Sequence, residues 1–351
     1  SNEENIETKE FFKAAAGNDL ETVKKLVEEK GTIQASICNS EGQTVAHIAA
    51  KNGNFDIVKY IVDKEPAILG LKDRYGHYTL QYTVQMGHMD TIKYLEEKYI
   101  PSVSNLTHHD FESVAIHAAI QFDHLDIVKY FIEERKSDVD IKDEYDESPV
   151  FTAIGYKRPN IFKYLIEETK ANLTLLDRYG ENILFEFIRT NDVQTMRYLL
   201  DEKKIPLDVN WRNVFNNTLL HRAIPLNRMN LIKYLVEEKH VEVNLAGCNR
   251  MTALHCAACR NYFETCKYFI EHGASLQAVD DKGETPLQKA TDKQLIEYMK
   301  NATTIRTRRS LDLYNGWPSS LISTTYESWP HKISPSARLG VGVVERSAEA
   351  S

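Results

Sequence analysis

A lysine–tyrosine pair recurs along this chain at a nearly constant interval, and no other feature limits its fold so tightly. The copies are Lys59-Tyr60, Lys93-Tyr94, Lys129-Tyr130, Lys163-Tyr164, Lys233-Tyr234 and Lys267-Tyr268. Arg197-Tyr198 is a conservative variant and Glu297-Tyr298 a weaker last copy. From Tyr60 to Tyr268 the spacings are 34, 36, 34, 34, 36 and 34 residues. A matching start lies sixteen residues before each of these tyrosines, at Thr44, Tyr78, Val114, Ser148, Asn182, Thr218 and Thr252. A shortened copy begins at Thr285. Self-similarity at this period means a stack of small units, each touching only its neighbours. Length alone, 351 residues, suggests two or three globular domains. The repeat replaces them with one elongated array.

Each unit reads as a short helix, a tight turn and a second helix. In the copy from Thr44, Ala46, Ile48, Ala49 and Ala50 stand at helical spacing. Asn52-Gly53-Asn54 breaks that helix, and Ile57, Val58, Ile61 and Val62 start a second apolar stripe. One pair cannot bury both its faces, so neighbouring pairs share a continuous core. Two residues before the starts stand Gly42, Gly76, Glu112, Asp146, Gly180, Asn216, Arg250 and Gly283. Gly, Asn and Asp tolerate positive φ. Glu112 and Arg250 depart from that rule, so their turns are expected to be strained or of another type. Asp73, Asp143, Asp177 and Asp280 open the same loop, where a carboxylate can accept nearby backbone N–H groups.

The starts resemble the ankyrin-repeat pattern Thr-Pro-Leu-His-x-Ala-Ala. Thr252-Ala253-Leu254-His255-Cys256-Ala257-Ala258 and Thr44-Val45-Ala46-His47-Ile48-Ala49-Ala50 are close to it, as is Thr218-Leu219-Leu220-His221-Arg222-Ala223. Thr285-Pro286-Leu287 keeps the first three residues, while Gln81, Phe151 and Phe185 replace the histidine. The resemblance implies an all-α ankyrin-repeat solenoid of about nine helix pairs with a flexible C-terminal tail. It divides the chain into an array over 5–302 and a disordered tail over 303–351. Within the array, 5–43 is an N-terminal cap, 44–284 holds seven full repeats and 285–302 is a C-terminal cap.

Charge narrows the function classes. The chain carries 43 Lys+Arg against 51 Asp+Glu, a net charge of −8. An acidic balance argues against nucleic-acid binding, which needs basic surface against phosphates. No apolar run is long enough to cross a membrane. Ser1-Asn2-Glu3-Glu4-Asn5 is polar and acidic, unlike a secretion signal. No phosphate-cradling glycine loop or zinc-protease motif is present, so no enzyme activity and no cofactor are expected. Cys256-x-x-Cys259 is half a zinc pattern without its complement, and no metal is expected. His47, His117, His221 and His255 lie one repeat or more apart, too far to share an ion, and are expected to bond the neighbouring turn. The repeated tyrosines are expected to pack in the second helices with their hydroxyls reaching water or a carbonyl. The Glu-Glu runs after them read as solvated.

The candidate binding residues are Tyr75, Phe111, Tyr145, Tyr179 and Phe215, each three residues before a repeat start. In ankyrin-type proteins these loop tips line the concave side with the first helices. An aromatic row there serves either as anchors for a protein partner or as packing between tips, and both readings stay open. The resemblance implies a non-enzymatic scaffold for a partner protein, which the acidic array expects to be basic, with the cytoplasm as its place. A second reading starts from Arg306, Arg308 and Arg309, which resemble a furin-type cleavage site. An ankyrin array ending in such a site resembles the latrotoxin-like secreted toxins, processed here after Arg309. That reading makes the chain, which starts at Ser1, a fragment of a longer secreted protein.

Overall fold

The apolar stripes pair off as the period demands. The computed structural model describes residues 2–28, 36–102 and 107–315. Within them eighteen α-helices form nine antiparallel pairs. The first pair is α1 (Asn2–Ala16) with α2 (Leu20–Glu28), followed by α3 (Val45–Lys51) with α4 (Phe55–Lys64). Then come α5 (Thr79–Gln85) with α6 (Met89–Ser102) and α7 (His108–Gln121) with α8 (Leu125–Lys129). α9 (Pro149–Gly155) pairs with α10 (Pro159–Glu167), and α11 (Ile183–Thr190) with α12 (Val193–Arg197). α13 (Leu219–Ala223) pairs with α14 (Met229–Lys233), α15 (Ala253–Cys259) with α16 (Phe263–Glu271), and α17 (Pro286–Lys289) with α18 (Lys293–Asn315). The first helices stack in one row, α1 on α3, α3 on α5 and so on to α15 on α17. Small residues such as Ala46, Ala49, Ala257 and Ala258 are fully buried along that row, where they let backbones approach. Ile57, Ile61, Leu165, Leu199 and Phe269 fill the space beneath the second helices.

The histidine start is an N-cap device that also ties one repeat to the next. In α3 the Thr44 N–H donates to His47 Nδ1 (3.2 Å), and the Thr44 hydroxyl meets the same nitrogen at 2.8 Å. With Nδ1 accepting, Nε2 carries the proton and donates to the His77 carbonyl at 3.1 Å, across the repeat boundary. His221 and His255 repeat the arrangement toward the Met251 and Glu284 carbonyls. His117 bonds Thr152 Oγ1 and the Ile141 carbonyl instead, because its helix has a different start. Gln81 and Gln288 do the capping part of the job, accepting from the Tyr78 and Thr285 N–H groups. Where Phe151 replaces the histidine, the buried Ser148 hydroxyl has no partner among the described residues.

The lysine–tyrosine pair links the second helices. Tyr60, Tyr130, Tyr164, Tyr234 and Tyr268 donate their hydroxyls to Glu28, Glu96, Glu133, Asp201 and Glu237 of the preceding repeat, at 2.8 to 3.1 Å. Tyr198 donates to Glu167 in the same way. Tyr94 differs in reaching the Lys59 carbonyl, at 3.2 Å, with the Asp63 carboxylate beside it. Lysines of one repeat lie over tyrosine rings of the next: Lys93 over Tyr130 at 4.7 Å, Lys129 over Tyr164 at 4.8 Å. The glutamates read as solvated are therefore the acceptors of this ladder. Burial, and then the carboxylate itself, pushes the Tyr60 and Tyr130 hydroxyls up to about 12, so they remain donors.

Three of the second helices end in a widened turn. After α8, α12 and α14 the backbone widens into a π-helical turn over Tyr130–Glu134, Tyr198–Glu202 and Tyr234–Glu238. Lys136, Lys204 and His240 then take a positive φ, and the next N–H groups close back on Phe131, Leu199 and Leu235.

Two expectations are corrected. α7 does not begin at Val114 but at His108, one full turn and more earlier. Thr107 and Asp110 form a reciprocal capping box, with Thr107 N donating to Asp110 Oδ2 at 2.7 Å and Asp110 N to Thr107 Oγ1 at 3.2 Å. Glu112 is thus a helical residue, not a strained turn, whereas Arg250 does adopt a positive φ of 56°. The helical array also runs past 302, since α18 continues to Asn315. The Arg306 guanidinium donates to the Ala274 carbonyl at 2.7 Å and to the Ile270 carbonyl, capping the end of α16 and holding α18 against it. The remainder of the expected tail, 316–351, lies outside the described residues.

Two outcomes follow from these links. Tyr130→Phe leaves the ring in place and removes the bond to Glu96, a buried carboxylate. It is expected to lower stability by about 2 kcal/mol in urea unfolding. Burial holds the pKa of His47, His117, His221 and His255 below the ordinary histidine value. A depressed histidine pKa means the unfolded chain binds the proton first, so stability is complete above about pH 6.5 and falls as pH drops below it. Thermal melts from pH 7.5 to 5 should show that fall. His221→Gln, which gives this cap the residue that Gln81 and Gln288 supply to theirs, should make the fall shallower, with His47, His117 and His255 still contributing.

Candidate functional site

Each tip is built by one side chain. Asp73 Oδ1 accepts the N–H groups of Tyr75 and His77, both at 2.9 Å. Asp143 and Asp177 do the same for Tyr145 and Glu147, and for Tyr179 and Glu181. Asn213 serves Phe215 and Asn217 at 3.0 Å, and Asn39 serves Glu41 and Gln43 at 2.9 Å. The sequence pattern singles out only the aspartates; the amide oxygen of asparagine is an equal acceptor at that position. The turn residue that follows the aromatic takes a positive φ, at Gly76, Asp146, Gly180 and Asn216. This geometry sets the aromatic residue at the apex, pointing outward.

Four of the five expected aromatics stand there. Tyr75, Tyr145, Tyr179 and Phe215 are about half exposed, at 58, 51, 47 and 56%. Phe111 does not. It is fully buried in α7 and packs against the Phe131 ring at 6.4 Å. The expected tip before Val114 does not exist, because the Thr107 capping box winds its residues into helix. The Thr107-x-x-Asp110 spacing was the signal that could have placed that helix start.

Tips touch directly. The Val214 N–H donates to the Tyr179 carbonyl at 2.9 Å and the Arg178 N–H to the Tyr145 carbonyl at 3.4 Å. The Arg178 guanidinium lies over the Tyr145 ring at 4.4 Å and donates to the Glu144 carbonyl. Tyr179 and Phe215 rings stand 6.3 Å apart. Val214, 65% exposed, lies beside them and was not singled out from the sequence. Tyr145, Tyr179, Val214 and Phe215 therefore form one apolar row, stiffened by its own contacts. Tyr75 is set apart from it by the missing tip, and a cleft of 780 Å³ occupies that gap, floored by α7.

Beneath the row lies an acidic layer. Glu181 accepts from Asn213 at 2.7 Å and pairs with Arg222 at 3.2 Å. Arg189 grips the buried Glu186 carboxylate with two nitrogens. The Glu147 carboxylate has no hydrogen-bond or ion-pair partner among the described residues. Burial, then Glu186 and Asp143, push its carboxyl up to about 7.

The other candidates resolve simply. Burial pushes the Cys256 and Cys266 thiols up to about 11 and about 12, so both stay protonated and unreactive. Among the described residues no cluster of three or more His, Cys, Asp or Glu side chains can hold a metal ion. No described helix is long and apolar enough to cross a membrane. Arg306 is bound to the Ile270 carbonyl of α16 and the Ala274 carbonyl just after it rather than free in a linker, and the backbones of 308 and 309 lie within α18, their side chains outside the described residues.

A stack of helix pairs with hairpin tips and histidine-capped first helices defines a repeat-built binding solenoid. A family model, ankyrin repeats in three copies, matches residues 11–105, 96–177, 168–247 and 230–302. The chain belongs to the ankyrin-repeat family. It is 35% identical over 98 residues to diacylglycerol kinase zeta from Rattus norvegicus, which is 27% of this chain and 10% of the kinase. It is 31% identical over 71 residues to alpha-latrocrustotoxin-Lt1a from Latrodectus tredecimguttatus, 20% of this chain and 5% of the toxin. The chain thus spans a tenth or less of these relatives. Among solved structures the ankyrin-repeat domain of Bcl-3 aligns with a TM-score of 0.51 at 16% identity, over 64% of this chain and 99% of that one. Ankyrin repeats are generally scaffolds for protein–protein interaction and generally non-catalytic.

The unpartnered carboxylate gives a test of the acidic layer. A raised carboxyl pKa means stability is complete below the unfolded value near 4.5 and is lost as pH rises through about 7. Glu147→Gln is therefore expected to raise the melting temperature at pH 8 and to leave it nearly unchanged at pH 4.5.

Proposed function

We propose that this chain is a non-enzymatic scaffold that holds a partner protein along the aromatic row Tyr145–Tyr179–Phe215, with Tyr75 as a separate anchor. The observation that carries the reading is the row itself: rigid, half-exposed aromatic side chains on consecutive tips. Large rings fixed before binding lose little conformational entropy when covered, which is why such residues dominate interfaces. Exposed apolar side chains in a contiguous strip are what docking sites present. The recurrent histidines, by contrast, have both ring nitrogens committed to capping and cross-repeat bonds, which supports binding over catalysis. The net charge of −8 favours a basic partner, with an association rate that falls as salt rises.

A second reading draws on the toxin match. In it the array is part of a secreted protein that recognises a surface receptor and is processed after Arg309. Cleavage there requires α18 to unwind locally, since proteases take extended substrates from exposed segments. Incubation with furin and mass measurement decide it, and a chain left intact rejects processing.

The scaffold reading is tested by capturing partners from a lysate and titrating the recovered protein against variants. Tyr145→Ala and Tyr179→Ala are each expected to weaken binding by more than about 1 kcal/mol. Unchanged affinity in variants with unchanged melts removes the row from the interface.

A further inference from the structure

The row of tips is broken once, and the break is a shaped site. Its mouth lies between the tip of Tyr75 and the tip of Tyr145, two repeats apart, and its floor is α7 with His117 and Ser113. Tyr75, Tyr78, Tyr145 and Tyr156 line it. One ion pair spans the gap, Lys72 Nζ to Glu144 Oε2 at 3.7 Å, with both side chains substantially exposed. We propose that this cleft is a socket for one basic side chain, lysine or arginine, of a partner protein segment lying along the tips. The inference rests on the reading of the tips as a partner-binding row and extends it to a specific contact.

Charge and chemistry point to a cation. Three basic groups line the cleft, and each is already engaged. Lys142 donates to the Leu176 carbonyl at 3.3 Å, Arg189 is held by Glu186, and Lys72 lies over the Tyr78 ring at 4.9 Å while pairing with Glu144. An incoming anion would find no free donor of full charge among them. The acidic side is different: the Glu147 carboxylate lines the cleft beside Asp143 and Glu144 with no hydrogen bond or ion pair of its own among the described residues, and it feels Arg189 only at longer range. Burial first, and then the neighbouring Glu186 and Asp143 carboxylates, make its charged form costly, and a cation placed against it would offset that cost. Aromatic faces are the second half of the recognition, because their quadrupoles attract lysine and arginine. Lys72 already demonstrates that contact on Tyr78, at the rim. A basic side chain entering the socket displaces only an exposed pair, which is worth little, and gains a more enclosed one.

The experiment uses the full chain with its tyrosines isotope-labelled, titrated at pH 8 with N-acetyl-arginine amide and N-acetyl-lysine amide. N-acetyl-citrulline amide and N-acetyl-glutamate amide are the controls. The cationic amides should shift the ring resonances of Tyr75 and Tyr145 saturably, and the citrulline compound should bind at least tenfold more weakly. Glu147→Gln should weaken the cationic amides at least fivefold, with its melt showing an intact fold. Absence of saturable shifts, equal binding of citrulline, stronger binding of the glutamate compound, or an unaffected Glu147→Gln variant each overturns the socket. The probes need no partner, so the two readings fail separately. Phe215→Ala, outside the cleft, should leave these titrations unchanged while weakening the captured partner. Loss of the socket with partner binding intact rejects the socket alone.

Discussion

Everything in this molecule depends on the contact between one helix pair and the next, because no pair can bury its own apolar faces. Burial supplies most of the attraction but is non-directional. Register comes from polar bridges that cross each boundary at two levels. At the first helices, histidine Nε2 donates to a carbonyl of the following tip, as His47 does to His77 and His255 to Glu284. At the second helices, tyrosine hydroxyls reach back to carboxylates, as Tyr164 does to Glu133. The two sets point in opposite directions along the chain. Together they fix the angle between repeats from both faces, which a purely apolar interface would leave free to slide.

The same division explains what the sequence made legible. The fold class was readable because it follows from period and from residues with one dominant use, such as Gly76 and Gly180 at positive φ. The histidine bond to the neighbouring turn was expected from the sequence, whereas its capping half, from His47 Nδ1 to Thr44, was not. The tyrosine–carboxylate bonds were not, since Tyr164 and Glu133 are thirty-one residues apart and neither residue type implies the other. The tip positions were legible where the period held and failed where a local signal overrode it. At Phe111 the spacing predicted a tip, while Thr107 and Asp110 form a capping box that starts the helix early and places the ring in the core. A local hydrogen-bonded start outcompeted the register of the array.

That one override has structural consequences at both ends of its helix. Because α7 starts early, His117 lies in mid-helix and cannot bond an N-cap of its own. It turns instead to Thr152 of the next repeat, at 2.7 Å. The next repeat has given up its own histidine, with Phe151 in the place, and carries at the neighbouring position the Thr152 hydroxyl that meets His117. Two departures from the repeat pattern thus compensate one another across a boundary.

Outside, the cost of the missing tip is borne by the tips on either side. Elsewhere tip backbones bond directly, as at Val214 to Tyr179, or Arg74 to Glu41. Across the gap the flanking tips are linked by the exposed Lys72–Glu144 pair. Such a pair holds weakly, so the outer edge of the array is least constrained where its cleft is deepest. Rigid tips on Tyr145, Tyr179 and Phe215 suit a surface whose shape is fixed before binding. The loosely tied notch beside them suits a contact that must open before it can be filled.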